Sequence, residues 1–453
     1  MSYETAVAQM YALGHELAQT PPHKFDLAHM RVLLAALGHP ETRSPAVLIA
    51  GTNGKGSTSA TLASILQASG FKTGLYTSPH LIRINERIRL NGAPIADDDF
   101  ALLHDVVDRT AERLVSEGDL PWHPSFFEML TAMAFEYFAR SRPDMVVLEV
   151  GMGGRLDATN VIEPRLSIIT DIALDHQKYL GETVAEIARE KAGIIHPGGV
   201  VVTLPQLPDA NTVIGNAILD AGARAVNAVP YVPPVSPGSS QWSMADGRRL
   251  RYPLEVMGQE IMVDSPLVGR HQLRNLALAI AAAEELRHQG MAQITPEAIA
   301  QGIRETHWPG RFQVVPANHD NPEFVFDVAH NPAGAWALRS TLSAVYQNDR
   351  ESRDITLVFG VMRDKAVQEI AEILFPIAGH VIVTHANNPR SATPDEIRQA
   401  AARVASGAEI EDAEDVDAAL TRARAIAGAP GLIVVTGSMY IVGEAMRKLA
   451  VRI

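Results

Sequence analysis

A chain of 453 residues exceeds one ordinary domain, and two or three are expected; 47% hydrophobic and 20% charged residues supply globular core material. A formal charge of −13 argues against a nucleic-acid-binding surface and leaves room for a local basic pocket. The absence of cysteine removes disulfides, Cys-based zinc sites and thiol nucleophiles; Met1–Gln19 lacks a signal pattern and no apolar run reaches the ~18 residues of a membrane span, so a cytoplasmic protein without membrane or nucleic-acid partners is expected.

In chain order, apolar β-branched runs alternate with helical periodicity. Strands are expected at Ala46–Ala50, Lys72–Thr77, Met145–Val150, Leu166–Asp171 and Val200–Leu204, then at Phe324–Asp327, Ile355–Phe359, His380–Thr384 and Leu432–Thr436. Helices are expected at Thr58–Gln67, Asp98–Ser116, Phe126–Ala139, Val184–Ile194, Gln272–Arg287 and Pro296–Ile303. Further helices are expected at Pro332–Val345, Pro394–Val404, Val416–Ala427 and Met439–Leu449. Strands apolar on both faces and separated by helices predict parallel sheets covered on each side. Between Pro230 and Val263, Pro, Gly and Ser punctuate short β-like runs, with a turn at Asp246-Gly247, which predicts an antiparallel flap. The break at Thr306–Arg311 places the domain boundary near 305. The expected fold is α/β: an N-terminal domain (1–304) with a P-loop-type, mostly parallel sheet and a small flap, then a smaller Rossmann-like domain (305–453).

The most informative stretch is Ile49-Ala50-Gly51-Thr52-Asn53-Gly54-Lys55-Gly56-Ser57-Thr58. A strand enters it and a helix leaves it. Glycines let backbone N–H groups approach phosphate oxygens, the helix N-terminus adds partial positive charge, and Lys55 supplies a point charge. It departs from the standard G-x-x-x-x-G-K-[ST] pattern, with Ile49 in the first Gly position and Gly56 after the lysine; an ordinary Gly-rich turn is the alternative to an ATP loop.

Glu149 ends a strand at the edge where α/β sheets bind ligands. It is either a Mg²⁺ ligand or a buried carboxylate satisfied by N–H groups. Asp175-His176 follows another strand on that edge; an imidazole would be an unusual Mg²⁺ ligand, and a structural histidine is the alternative. Lys191, flanked by apolar residues and Glu190, is either an ion-paired surface lysine or a buried one whose lowered pKa lets the neutral amine react with CO₂. Asp327 and His330, spaced Asp-x-x-His after a strand, read as a turn cap or as an acid–base pair.

These pieces, in this order, resemble the Mur ligase superfamily in its folylpolyglutamate synthase/dihydrofolate synthase branch. The resemblance spans roughly residues 45 to 445. It is carried by GTNGKGS at 51–57, TSPHL at 77–81, LEVGMGGRLDATN at 148–160, ITDIALDH at 169–176 and EKAGII at 190–195. GRHQLRN at 269–275, WPGRFQ at 308–313, DVAHNP at 327–332 and VTGSMYIVGE at 435–444 complete it. The resemblance implies that Lys55 and Gly51 to Thr58 hold the ATP phosphates and that Ser57 and Glu149 share one Mg²⁺. A second Mg²⁺ would lie among Ser78, Glu149 and His176. It also implies that Lys191 is carbamylated, that Asn275 contacts adenine, and that Arg311, Asp327 and His330 close over ATP and bind incoming glutamate. Asp157 falls in the substrate-side loop, and Phe127, with the segment Pro21–Met30, is expected to wall the pterin pocket; a helix-core role is the alternative for Phe127. His80 matches its motif without a role carried over, and Ala366 stands where the family usually has Asp.

The implied activity is ATP-dependent amide ligation through an acyl phosphate, adding L-glutamate to 7,8-dihydropteroate and to reduced folates, in a monomer. A folylpolyglutamate synthase alone, a cell-wall Mur ligase and a P-loop switch protein are the competing expectations. Only 50 residues precede Gly51, too few for the nucleotide-sugar domain of the cell-wall enzymes. A second α/β domain with its own Asp327/His330 cluster is unexpected for a switch.

Overall fold

Ala46–Ala50 (β1) has five buried side chains in succession, the condition for a central strand of a sheet covered on both faces. The computed structural model describes residues 1–14, 26–234, 243–245, 248–318, 321–346, 354–404, 407–428 and 431–451. Thr73–Tyr76 (β2), Ile88–Leu90 (β3), Ala93–Pro94 (β4), Met145–Glu149 (β5), Leu166–Ile169 (β6), Val200–Thr203 (β7) and Arg224–Asn227 (β8) join β1 in an eight-stranded sheet. Among the described residues its order is β4-β3-β2-β5-β1-β6-β7-β8. The pairs from β2 through β8 are parallel, and β3 and β4 add an antiparallel edge. Because β1 lies between β5 and β6, in register at Ile49↔Glu149 and Ala50↔Ile169, the loops after all three strands leave the same sheet edge side by side. Ligands bind at such a switch in α/β sheets.

The helices of this part are Tyr3–Ala12 (α1), Leu27–Ala36 (α2), Lys55–Ala68 (α3), Asp97–Glu117 (α4), Phe126–Ser141 (α5), Gln177–Leu180 (α6), Val184–Ala192 (α7) and Pro208–Asp220 (α8). α1, α2, α4 and α5 share one core with the sheet, in which Met10, Leu33, Leu48, Phe100, Phe138 and Leu148 are buried; each such side chain stabilises by about 1.5–3 kcal/mol. α3 is rich in Ser, Thr and Ala, poor helix formers among them, yet it is buried around most of its surface. Small side chains permit that close packing, and tertiary burial outweighs propensity. The helix begins at Lys55 rather than Thr58 because Gly54 takes its N-cap.

Ser243–Ala245 (β9), Arg249–Val256 (β10) and Gln259–Ser265 (β11) form the three-stranded flap, with β9 and β10 antiparallel. Its period is two: Leu250, Tyr252, Leu254 and Val256 are buried and their neighbours are not. The turn expected at Asp246-Gly247 lies outside the described residues. Arg270–His288 (α9) and Pro296–Glu305 (α10) follow, and α10 packs on α3, with Ser64 Oγ donating to the Gly302 carbonyl at 2.7 Å.

The last part has Gln313–Val315 (β12), Glu323–Phe326 (β13), Pro332–Tyr346 (α11), Ile355–Phe359 (β14), Val367–Leu374 (α12), His380–Val383 (β15) and Pro394–Ala401 (α13), then Glu409–Asp412 (β16), Val416–Ala427 (α14), Leu432–Thr436 (β17) and Met439–Lys448 (α15). Among the described residues its sheet has six strands in the order β12-β13-β17-β14-β15-β16 and is parallel except at β12. The chain divides into two compact units. One holds Met1–Pro234, Leu254–Ile261 and Arg274–Thr306; the other holds Val235–Pro253, Met262–Leu273 and His307–Ile453. No helix among the described residues is long and apolar enough to cross a membrane.

Candidate active site

In the first unit, the turn from β1 into α3 has the geometry of an anion site. The first intrahelical bond of α3 runs from Thr58 N to Gly54 O at 2.9 Å, so the N–H groups of Lys55, Gly56 and Ser57 have no acceptor within the helix. Gly54 adopts φ 90°, and a Cβ there would stand 2.1 Å from Asn275 Oδ1. Only glycine permits both the backbone and the approach. Asn275 is thus seated against the loop, and its carbonyl faces Thr58 Oγ1 at 3.5 Å. Ser57 is buried at the start of the helix.

The rest of the loop is tied to the segment after β6. Thr52 N and Asn53 N donate to Asp171 O at 2.9 and 3.1 Å, and Thr52 Oγ1 donates to Ala173 O at 3.0 Å. Arg274 grips the Asp171 carboxylate with Nε and Nη2 at 2.6 to 3.0 Å and also donates to Pro205 O. Sequence reasoning missed Arg274. It adjoins Asn275, yet its partner is 103 positions away, a separation that no local pattern reports.

Lys55 Nζ turns back to donate to Gly51 O and Thr52 O at 3.0 and 3.2 Å. Lys191, from α7, donates to the same Gly51 carbonyl at 2.7 Å. Lys191 is buried; burial and then the Lys55 ammonium push it down to about 7, against a smaller opposing pull from Asp175 and Asp157. The exposed ion-paired alternative therefore does not describe Lys191. Glu190 pairs instead with Arg155, at 2.9 Å.

The loop after β5 closes over this lysine. Asp157 accepts from Met152 N, Thr159 N and Thr159 Oγ1 at 3.0, 3.0 and 2.6 Å; burial nonetheless raises its carboxyl above the usual range. Gly151 lies under the ring of Phe127, where a Cβ would meet Cζ at 2.5 Å. Phe127 also faces Tyr76, with centroids 6.1 Å apart, and is half-buried, so its ring is both packing for the loop and partly open. Of the other expected wall, residues 21–25 lie outside the described residues, while Asp26 caps α2.

Glu149 is buried, and its Oε2 accepts from Ser78 N at 3.2 Å. The Ser78–Pro79 peptide is cis. His176 is half-buried in a left-handed conformation (φ 50°), with its backbone N–H donating to the Asp175 carboxylate at 2.8 Å. Among the described residues no three His, Cys, Asp or Glu side chains form a metal cluster. A Mg²⁺ that draws most of its shell from phosphate and water needs fewer protein ligands, and carboxylate and hydroxyl oxygens suit it.

In the second unit, Asp327 is buried. Its two oxygens accept from Phe312 N and Ala329 N, both at 2.9 Å. Burial raises its carboxyl, while Arg311, these two N–H groups and His330 pull the other way. Phe312 is held at φ 47°, an uncommon backbone state for a bulky residue, and Arg311 beside it lies over the Trp308 ring at 5.8 Å. Asp327 thus braces the Arg311 loop. His330 Nδ1 lies 2.9 Å from Val328 O; since a carbonyl only accepts, Nδ1 bears a proton.

Residues 127–283 match the Mur ligase middle domain and residues 310–439 the Mur ligase glutamate ligase domain. The dihydrofolate synthase/folylpolyglutamate synthase of Bacillus subtilis is 35% identical over 93% of this chain and 94% of its own. A solved Mycobacterium tuberculosis folylpolyglutamate synthase, complexed with ADP and AMPPCP, superposes with TM-score 0.84 at 32% identity, covering 99% of each chain. Escherichia coli FolC in complex with DHPP and ADP superposes with TM-score 0.80 at 29% identity, covering 99% of this chain and 98% of that one. The chain belongs to the Mur ligase superfamily, in its dihydrofolate synthase/folylpolyglutamate synthase branch of ATP-dependent, C–N bond-forming ligases.

Proposed function

We propose that this chain adds L-glutamate both to 7,8-dihydropteroate, giving dihydrofolate, and to reduced folates, giving folylpolyglutamates. The observation that carries it is the open N-terminus of α3 with Lys55 and Lys191 converging on Gly51 O. It supports a triphosphate site in a chain whose relatives bear both activities in their names.

A carboxylate is a poor electrophile. Its oxygen attacks the γ-phosphorus of ATP, ADP leaves, and an acyl phosphate forms; the glutamate amine then attacks the acyl carbon, phosphate leaves, and the nitrogen gives up a proton. The N–H groups of Lys55 to Ser57 and the Lys55 ammonium hold the phosphates, Thr52, Asn53 and Thr58 shape the loop, and Asn275 serves the adenine. Ser57, Ser78, Glu149 and His176 would hold two Mg²⁺, which would offset charge on the transferring phosphoryl group. Lys191, half neutral near pH 7, attacks CO₂ through its amine nitrogen and loses a proton, giving a carbamate. Phe127 and the Asp157 loop serve the pterin acid. Arg311 and His330 serve nucleotide and glutamate, with Asp327 bracing Arg311. A cytoplasmic monomer completes the assignment, checked by fractionation and by sedimentation of the purified protein.

The test is glutamate-dependent ADP release with 7,8-dihydropteroate and, separately, with a reduced folate monoglutamate. Both are expected. Release with the folate alone reduces the enzyme to a polyglutamate synthase, and release with neither overturns the assignment. ¹³C-bicarbonate NMR should show a carbamate signal that Lys191→Ala lacks.

A further inference from the structure

Behind Phe127 lies a buried ion pair with no part in the chemistry above. His29 of α2 and Glu128 of α5 are 7% and 8% exposed. Glu128 Oε2 accepts from Ser125 N and Ser125 Oγ at 2.8 and 2.6 Å, and Oε1 lies 3.1 Å from His29 Nδ1. The other ring nitrogen, Nε2, lies 3.0 Å from the Trp122 carbonyl, and the indole stacks on the imidazole at 5.5 Å and 24°. A carbonyl only accepts, and so does a carboxylate already taking two hydrogen bonds. Both ring nitrogens therefore donate, and His29 is an imidazolium. Burial alone would lower its pKa; Glu128 from α5, the Trp122 carbonyl and Asp26 at the cap of its own helix together outweigh that and raise it.

Ser125 and Glu128 also form the capping box that starts α5. The next two residues point at two different supports of the site. Phe126 stacks on Tyr11 at 5.9 Å and lies beneath the Arg87 guanidinium at 5.3 Å. Arg87 Nε in turn donates to His80 Nδ1 at 2.8 Å, which gives the histidine of TSPHL a place in this brace. Phe127 covers Gly151.

We propose that His29 is a positioning residue for the acid substrate: by holding Glu128 it sets the first turn of α5, and with it the Phe127 wall against which a pterin-type acid rests, given that Phe127 lines the pocket for that acid. Of the expected wall segment Pro21–Met30, His29 is a buried member whose ring is spent on Glu128 and the Trp122 carbonyl, so it acts through Phe127. Its effect therefore falls on the KM for the pterin acid and not on that for ATP, and it fades as the ring loses its proton.

The test is steady-state kinetics of the full chain from pH 6 to 9 with 7,8-dihydropteroate and with ATP, for wild type, His29→Asn, His29→Gln and Phe127→Ala. The Asn amide can donate where Nδ1 does and keeps the Glu128 bond; the Gln amide reaches toward the Trp122 carbonyl and leaves Glu128 with its Ser125 bonds alone. His29→Gln should raise the dihydropteroate KM about tenfold with the ATP KM within about twofold. His29→Asn, a neutral donor that keeps the hydrogen bond but not the charge, should fall between wild type and His29→Gln and be flat with pH, whereas the wild-type dihydropteroate KM should climb toward the Asn value as His29 deprotonates, followed by NMR of its C2–H. An unchanged dihydropteroate KM in His29→Gln, or both KM values moving together with the melting temperature, would overturn the proposal. Should His29→Gln not fold, a wild-type pterin KM that does not follow the His29 titration overturns it as well. If Phe127→Ala leaves the dihydropteroate KM unchanged, it is the pocket assignment that fails.

Discussion

Lys191 and Lys55 direct their Nζ atoms at one acceptor, the Gly51 carbonyl oxygen, at 2.7 and 3.0 Å. Burial first, and then repulsion from the neighbouring Lys55 ammonium, favour the neutral form of Lys191. This places an amine that is reactive at neutral pH within the phosphate loop.

Stability should carry the mark of that lysine. Its pKa is about 7 when folded and about 10.4 when unfolded, so between those values the unfolded chain binds more protons and stability rises with pH, by up to about 1.4 kcal/mol per unit. Lys191→Met removes the titration. In CO₂-free buffer, where Lys191 is the free amine, the melting temperature of wild type relative to Lys191→Met is expected to rise from pH 7 to 9; a constant difference would show that Lys191 is not depressed.

Glu149→Gln keeps the shape and can still accept from Ser78 N, but loses the charge. Turnover should fall at least about 100-fold, the scale of losing an electrostatic group at a reaction centre, with an unchanged thermal melt. Near-wild-type turnover in a folded variant would remove Glu149 from the metal site.

Gly54→Ala puts a Cβ where Asn275 Oδ1 now lies, 2.1 Å away, on a backbone at φ 90°. The strain should cost about 1–3 kcal/mol, and the ATP KM should rise about tenfold because both the loop and Asn275 must shift. An ATP KM equal to wild type in the purified variant would refute this coupling.

Asp327→Asn replaces an acceptor oxygen with an N–H₂ group, leaving either Phe312 N or Ala329 N without its bond at a cost of about 1–3 kcal/mol. With Phe312 no longer braced, Arg311 loses its position. We expect a lower melting temperature and a raised glutamate KM, measured by ADP release at saturating ATP; a glutamate KM that stays fixed while the melt falls would leave Asp327 a purely structural role.

Much of the fold was legible without coordinates. Ala46–Ala50 and Leu432–Thr436 match their strands residue for residue, because runs apolar on both faces suit the centre of a covered sheet and little else. The strands Ile88–Leu90, Ala93–Pro94 and Arg224–Asn227 were not foreseen: two are very short, and the third is mostly exposed, so none shows a hydrophobic period. The phosphate loop was readable because a Gly-rich turn between strand and helix depends on adjacent residues.

What the sequence determined by itself was therefore local: which segments are strands or helices, where the backbone needs glycine, and which motifs line up with a known family. Only the tertiary structure decided that β1 lies between β5 and β6, and that order brings Lys191 to a carbonyl 140 positions away, Arg274 to Asp171 and His29 to Glu128. Backbone conformation follows from sterics between sequence neighbours. The state of a buried ionisable group follows from what surrounds it in space, and at separations of a hundred residues that is set by sheet order and helix packing.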